Sequence, residues 1–426
     1  MPDTGAPPCR VAVVLRMMEV DTGAEARRTA DLPLRPPRPG ARPAGKRRPL
    51  GEEAPMDVLT MGVEEEFHIV DRDSRAPVGR APEVIRALAA ALGGQIQTEF
   101  YDTQVEVCTL PAAERGDLRE QLLGLRRAVA EAAAEVHGRA VASGSLVLPP
   151  QEPLTVTDNA RYRLMASRFA GLLGPYRLVC GCHVHVGCLD RGRALALANR
   201  MRPWLPALQS ITGNSPFVCG RDTGLDSWRS VAYSSWPTVG PPPLLLDEHQ
   251  YREYVDGLVG AGVLLDRAMV YWYARPSEHV PTLEIRISDV NADLDTVVLL
   301  AVLVRGLAAV LLEEVDAGAP PPSPPERVLR AAHRLAARHG IDGPGLDVWT
   351  GRRVPARLLV DRLLQRAAPG LERAGDLGAA EALWSATRGR GTGARRQRAV
   401  YAATGSLAAV VDSLDAATGS LAVVAA

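Results

Sequence analysis

Lysine is nearly absent from this chain: Lys46 is the single lysine among 49 basic residues, and the other 48 are arginine. A Walker-type phosphate loop, a Schiff base and a lysine general base all need an ammonium group, so the folded region beyond residue 46 excludes them. Any phosphate charge handled there must be met by arginine or by a metal ion. Net charge is absent as well, with 49 acidic residues balancing the 49 basic ones. Nucleic acids and anionic membranes are held by a basic excess that displaces counterions, so neither is expected as a partner, and small molecules are. The opening segment offers only "VAVVL" between Arg10 and Arg16, too short for the apolar core of a signal peptide, and a cytoplasmic location is expected. The longest apolar stretch, "TVVLLAVLVRGLAAVLL" (296–312), carries Arg305 and Gly306 near its middle and reads as a buried helix rather than a membrane span. Six cysteines in 426 residues do not read as a disulfide framework in such a chain.

Residues 1–55 are rich in Pro, Arg and Gly ("LRPPRPGARPAGKRRPLG") and lack an apolar period, which predicts a disordered extension. A catalytic unit is expected over 56–415 and a C-terminal tail over 416–426. Helices are predicted at "PEVIRALAAALGG", with Pro82 in the first turn, and along the amphipathic "DLREQLLGLRRAVAEAAAEVHGRAVASG". Strands are predicted at 61–70, 100–109, 177–188, 268–275 and 281–288. Their irregular spacing favours an α+β fold over a doubly wound sheet. Near the end, Leu407, Val410, Val411 and Leu414 fall at helical spacing and suggest a docking helix.

The segment "VCGCHVHVGCLD" (179–190) packs three cysteines and two histidines into nine positions. Side chains alternate across a strand, so Gly181, His183, His185 and Gly187 share one face while Cys180, Cys182 and Cys188 share the other. A tetrahedral zinc site needs ligands that converge, so the cysteines read as small core residues. The same division recurs elsewhere. Glu64, Glu66 and His68 oppose Val63, Phe67 and Ile69; Asp102, Gln104 and Glu106 oppose Val105 and Val107; Glu284, Arg286 and Ser288 oppose Leu283, Ile285 and Ile287. One such strand is an ordinary solvated face. Four of them suggest a concave sheet whose carboxylates line a basin, and clustered carboxylates call for cations. Oxygen ligands with one or two imidazoles favour Mg²⁺ or Mn²⁺ over Zn²⁺.

Five motifs, "GVEEEF", "TEFYDTQVEVCT", "GCHVHVG", "NSPF" with "RDTGLDSWRS", and "RPSEHVPTLEIRISD", occur in the order that resembles the ATP-dependent carboxylate-amine ligases, or type 2 glutamate-cysteine ligase family. The resemblance runs from about Met61 to about Asp412. It implies a glutamine-synthetase-like fold in which a curved, mostly antiparallel sheet forms a funnel with helices on its outer face. It also implies ATP and Mg²⁺ as cofactors (Mn²⁺ being the alternative metal), and amide-bond formation between small molecules, with glutamate and cysteine as the expected pair. Carried over by motif, Glu64, Glu66, Glu99, Glu106, His183 and Glu284 are implied metal ligands, and Arg286 an implied stabiliser of the transferring phosphoryl group with Glu284 beside it. Arg229 is the candidate for the substrate carboxylate. Arg275 is balanced between a phosphate contact and a structural ion pair, Asn214 and Ser215 between lining the substrate pocket and forming an ordinary turn. His185 is expected to support a ligand from behind. Tyr273 stands where the family pattern has an acid before the "RP" step, and Val218-Cys219 stand where a second aromatic is usual. Two alternatives stay open: a metal-dependent phosphohydrolase using the same basin, and a metal-binding protein without turnover. The oligomeric state is open too, a homo-oligomer included.

Overall fold

The computed structural model describes residues 59–419; the extension expected over 1–55 lies outside them. In chain order the strands are β1 (Met61–Asp71), β2 (Ile96–Thr98), β3 (Gln104–Cys108), β4 (Gly138–Val141), β5 (Gly181–Val186), β6 (Phe217–Val218), β7 (Arg221–Asp222), β8 (Ala274–Pro276), β9 (Leu283–Asp289), β10 (Pro344–Leu346) and β11 (Arg353–Pro355). One antiparallel sheet runs β2-β3-β1-β5-β9-β8, with β4 on the far end of β1. The α+β expectation holds; the predicted ranges 100–109 and 177–188 contain β3 and β5, and 61–70 and 281–288 cover all but the last residue of β1 and β9.

Every apolar back face turns toward helices. Val63, Val184 and Ile285 pack with the helix Leu294–Asp316, while Phe67, Val105 and Val107 pack with the helices Ala81–Leu92, Arg115–Glu135 and Leu407–Gly419. The helix Leu294–Asp316 is long and apolar enough to cross a membrane by length and composition, yet 89% of that window is buried inside the fold. Its Arg305 is neutralised by Asp376 and bonded to the Ala113 carbonyl, so a charge in the core is paired rather than stranded. Layering helices on one face leaves the other face of the sheet to form the site.

Three details depart from the sequence reading. The predicted amphipathic helix stops at Glu135, and "GRAV" continues as β4, because His137 takes a left-handed φ of 54° that ends the helix. The strand expected over 268–275 is a short 3₁₀ turn at Arg267–Met269 followed by β8. The boundary expected at residue 415 falls within the helix Leu407–Gly419, whose Val410, Val411 and Leu414 are buried as the spacing predicts.

Glu65 lies on the apolar side of β1 and is fully buried. Its carboxylate is gripped by Arg126 Nε and Nη2 at 2.8 and 2.5 Å, and the same guanidinium donates to the carbonyls of Asn291 (2.6 Å) and Ala292 (2.9 Å). This bidentate pair ties the sheet to the helix Arg115–Glu135 and to the turn after β9. Arg126→Met should cost roughly 3–5 kcal/mol, because it strands the Glu65 charge, whereas Glu65→Met with Arg126→Met should recover most of that loss. Denaturant unfolding of the two variants checks the sign; equal stabilities would contradict it.

His333, on the helix Glu326–His339, is 3% exposed. Burial, with Arg330 nearby, lowers its pKa from the ordinary 6.5 to about 3. As pH falls below 6.5 the unfolded chain takes up this proton first. The stability it contributes is therefore complete above pH 6.5 and is lost progressively toward pH 3, amounting to about 2 kcal/mol at pH 5. His333→Phe should flatten the stability profile between pH 7 and 5 by about that amount in chemical unfolding; an unchanged slope would refute the assignment.

Candidate active site

Strand register builds the site. Glu66 stands opposite Glu106, Glu64 opposite His183, His185 opposite Glu284, and Glu284 opposite Arg275, so residues from β3, β1, β5, β9 and β8 share one face. A register shift between Cys182 and Val184 brings His185 opposite Glu284 of β9. Two groups of candidate ligands result: Glu64, His183 and Glu284, and Glu66, Glu99 and Glu106, with the ligand atoms in each group all within 4.8 Å of one another. Glu99 reaches the second group from the loop before β3 rather than from a strand. Neither group contains a cysteine. Cys182 is buried on the back of the sheet with Glu65 and Arg126, and Cys180 is buried beside His68 (3.5 Å) and Gln104 (3.2 Å) rather than on that back face; burial pushes both thiols well above the ordinary range, while Cys188, expected as a core residue too, is exposed.

The charges in the two groups differ. In the first, burial alone would raise Glu64, but His185 and His183 outweigh it and hold its carboxyl well below the usual range. Glu284 is held low despite burial by Arg275 and Arg286. The second group is short of cations. Burial and the neighbouring Glu99 raise Glu66 to about 7, and burial with Glu64 and Glu99 pushes Glu106 well above the carboxylate range. Glu66 still accepts a 2.6 Å hydrogen bond from the Gly181 amide.

His183 joins the groups. Its Nδ1 is 3.0 Å from Glu64 Oε2 and 3.7 Å from Glu284 Oε1, while Nε2 is 3.6 Å from Glu66 Oε1 and has no hydrogen-bond partner. Burial and Arg286 lower its pKa to about 4, so the ring is the neutral form that can ligate a metal. A buried imidazole nitrogen without a partner, set among carboxylates that repel one another, fits a divalent cation. His185 bonds Thr282 Oγ1 through Nδ1 (2.8 Å); its Nε2 lies 3.1 Å from Glu64 Oε1 without hydrogen-bond alignment, a position from which it backs Glu64.

The arginines divide by partner. Arg275 donates to both Glu284 oxygens (2.7 and 3.3 Å) and to the carbonyls of Ala268 and Val270, so its donors are spent on holding Glu284. A structural ion pair therefore prevails over a phosphate contact. Arg286 pairs with Glu284, lies 3.3 Å from Tyr233 Oη and sits over the Tyr271 ring. Arg229 is 3% exposed, stacks on Tyr233 and donates to the Arg286 carbonyl, yet no carboxylate among the described residues lies within ion-pair distance and its Nε is unpartnered. Gly181 makes room for it, since a Cβ there would collide with the guanidinium. A buried cation left without an anion suits an anionic ligand.

Asn214 and Ser215 do not line a pocket. Asn214 is 1% exposed and its side chain bonds Ala142, Val290 and Gln397; Ser215 is fully buried against Asp289 (2.6 Å) and accepts the Arg229 amide. Every polar atom is used internally, which corrects their expected substrate role. Asp289, not singled out in the sequence, gathers Asn214 N, Ser215 Oγ and Ser227 Oγ, and so fixes the start of the helix Trp228–Tyr233 that carries Arg229. The sequence does not single out Tyr233 and Tyr271 either; only the four-residue spacing of Arg229 and Tyr233 points to the first. Asp102 lies in a turn against Gly79, and His68 is buried beside Cys180, so neither joins the basin.

The model of glutamate-cysteine ligase family 2 matches residues 60–413. "Putative glutamate--cysteine ligase 2-1" of Saccharopolyspora erythraea is 46% identical over 343 residues, covering 80% of this chain and 90% of that protein. "Putative glutamate--cysteine ligase 2" of Salinispora tropica is 42% identical, covering 84% and 94%. Among solved structures, a glutamate-cysteine ligase of Francisella tularensis in complex with AMP aligns with a TM-score of 0.66 at 11% identity, covering 84% of this chain and 88% of that one. A bifunctional glutathione synthetase of Pasteurella multocida aligns at 0.63 and 16% identity, with 84% of this chain covering only 52% of that one. These two similarities establish the fold. With the family model spanning nearly all the described residues and relatives above 40% identity along most of their length, the chain belongs to glutamate-cysteine ligase family 2, a family of ATP-dependent ligases that form C–N bonds.

Proposed function

We propose that this chain joins the γ-carboxylate of glutamate to the amine of cysteine at the expense of ATP. The γ-phosphoryl group passes to a carboxylate oxygen, giving an acyl phosphate and ADP; the amine then attacks the acyl carbon, the C–O bond to phosphate breaks, and phosphate and a proton leave. The observation that carries this reading is the pair of adjacent ligand groups, Glu64/His183/Glu284 and Glu66/Glu99/Glu106, on one concave sheet face. Their oxygen-rich composition favours Mg²⁺ or Mn²⁺, and a bound cation would neutralise the phosphate charge. Arg286, braced by Glu284 and Tyr233, is placed to stabilise the transferring phosphoryl group. Arg229 offers a fork to the substrate carboxylate. We place the start of the catalytic unit at residue 56, with the preceding residues outside it, and move its expected end from 415 to Gly419, where the helix Leu407–Gly419 closes; the family match over 60–413 supports that division.

The test is phosphate release from ATP and Mg²⁺ with glutamate across a panel of amines including cysteine, with product mass recorded. Release that needs both substrates and yields the condensation product supports the ligase. Release indifferent to every amine indicates a phosphohydrolase, and no release means either that turnover is lost or that the substrate lies outside the panel. Arg229→Lys keeps the charge but loses the planar fork, and should raise KM for the carboxylate substrate roughly 10- to 100-fold with a smaller change in KM for ATP. Steady-state kinetics with each substrate varied checks this; equal changes in both constants would speak against the role.

A further inference from the structure

Away from the basin, a cavity of about 310 Å³ opens between the helices Leu205–Ile211, Trp228–Tyr233 and Glu326–His339. None of the basin residues lines it, and neither does any acidic side chain. Arg330 and Arg334 stand at its edge. Arg334 has no ion-pair partner among the described residues, and Arg330 has only the half-exposed Glu326 one turn away. Val231, Val239 and Pro241 supply an apolar wall. The volume is about ten times that of a water molecule and at the lower end of small-molecule sites, too large for a bare ion.

His333 defines the chemistry further. Gln209 Nε2 donates to Ser230 Oγ (2.8 Å), which turns Gln209 Oε1 toward His333 Nδ1 at 2.5 Å. An amide oxygen only accepts, so Nδ1 carries the proton and Nε2 presents a lone pair. That nitrogen is buried and has no partner. Buried polar atoms are seldom left unsatisfied without cause.

We propose that this cavity binds a small organic molecule bearing a carboxylate and an N–H or O–H donor, the combination found in a free amino acid or short peptide. The carboxylate meets the Arg330 and Arg334 forks, the donor meets His333 Nε2, and the apolar part lies against Val231 and Val239. The helix Trp228–Tyr233 is a shared wall: Arg229 and Tyr233 face the basin, while Ser230, Val231 and Ser234 face the cavity. An occupant therefore touches the element that positions Arg229. Of the sources that offer this chemistry, the test separates the amine substrate from the amide product, and only that choice rests on the ligase reading.

The test is calorimetric titration of the full chain, without ATP or divalent cation, with L-2-aminobutyrate and with γ-glutamyl-L-2-aminobutyrate. Arg330→Gln with Arg334→Gln, at exposed positions that leave the core intact, should weaken binding of at least one probe about tenfold or more, and His333→Phe should weaken it independently. Weakened aminobutyrate binding with a raised KM for the amine identifies the substrate as the source. Weakened dipeptide binding alone, with product inhibition relieved and the amine KM unchanged, identifies the product. Absence of binding to the wild type, or equal affinity in the wild type and both variants, overturns the proposal. The titration needs no turnover, so its failure is distinguishable from failure of the ligase reading in the phosphate-release assay.

Discussion

Glu106→Gln is expected to abolish turnover and at the same time stabilise the cation-free protein. Glu106 sits across from Glu66 with Glu99 beside both, and burial with Glu64 and Glu99 already pushes its carboxyl well above the ordinary range. An amide of the same shape removes a charge that the fold alone does not compensate. It also removes an oxygen donor from the group proposed to hold a cation, so kcat should fall at least about a hundredfold, the scale seen when one preorganised electrostatic contact to a transition state is lost. Thermal unfolding in chelator should move up by about 2 °C, the shift that less than about 1 kcal/mol produces in a chain of this size. Turnover within tenfold of wild type, or a lower melting temperature in chelator, would remove Glu106 from the proposed set.

Glu284→Gln should lose turnover to a similar degree but with the opposite effect on stability. From sequence alone, Glu284 looks like one more ligand in a solvated basin, and replacing it should cost little stability. The structure corrects this: Glu284 is 2% exposed and both its oxygens are engaged, by Arg275 on β8 and by Arg286 on its own strand. Removing its charge leaves two guanidinium groups without their anion, which costs roughly 3 kcal/mol by the usual measure of a broken buried pair. Chemical denaturation in chelator reads the loss, and phosphate release reads the activity. An active Glu284→Gln variant would contradict its place in the site; an inactive variant of wild-type stability would mean that the arginines find other partners. The two substitutions together separate a carboxylate kept for a cation from one that also secures the scaffold.

Much of this was legible in the chain because the alternation of a half-buried strand is a strong local signal. His183/His185 and Glu284/Arg286 each appear two residues apart with an apolar residue between, Glu64/Glu66 appear two apart with Glu65 between, and those pairs supply most of the basin. Glu65 shows where alternation alone misleads: it sits among the apolar back-face residues, and only the tertiary position of Arg126 explains how its charge is tolerated. The division of labour among Arg229, Arg275 and Arg286 was equally invisible, since it depends on which carboxylates lie nearby in space. Asn214 and Ser215 look like turn or pocket residues in "GNSP" but are consumed by Asp289 and Gln397, both far away in sequence. β4 escaped because "GRAV" continues the alanine-rich composition of the preceding helix and only the backbone at His137 marks the break.

The strand order β3-β1-β5-β9 has a bearing on biosynthesis. Glu64 and Glu284 belong to one ligand group, yet 220 residues of chain separate them, and His183 lies between. A polypeptide emerging N-terminus first has its earliest strand ready long before β9 leaves the ribosome, and pairing across such distances is slow to form. Partial products therefore carry Glu66, Glu99 and Glu106 without the Arg286 that stands beside the other group. Under the proposed roles such products lack the arginine assigned to the phosphoryl group, so that assignment implies that phosphoryl transfer waits for the complete sheet.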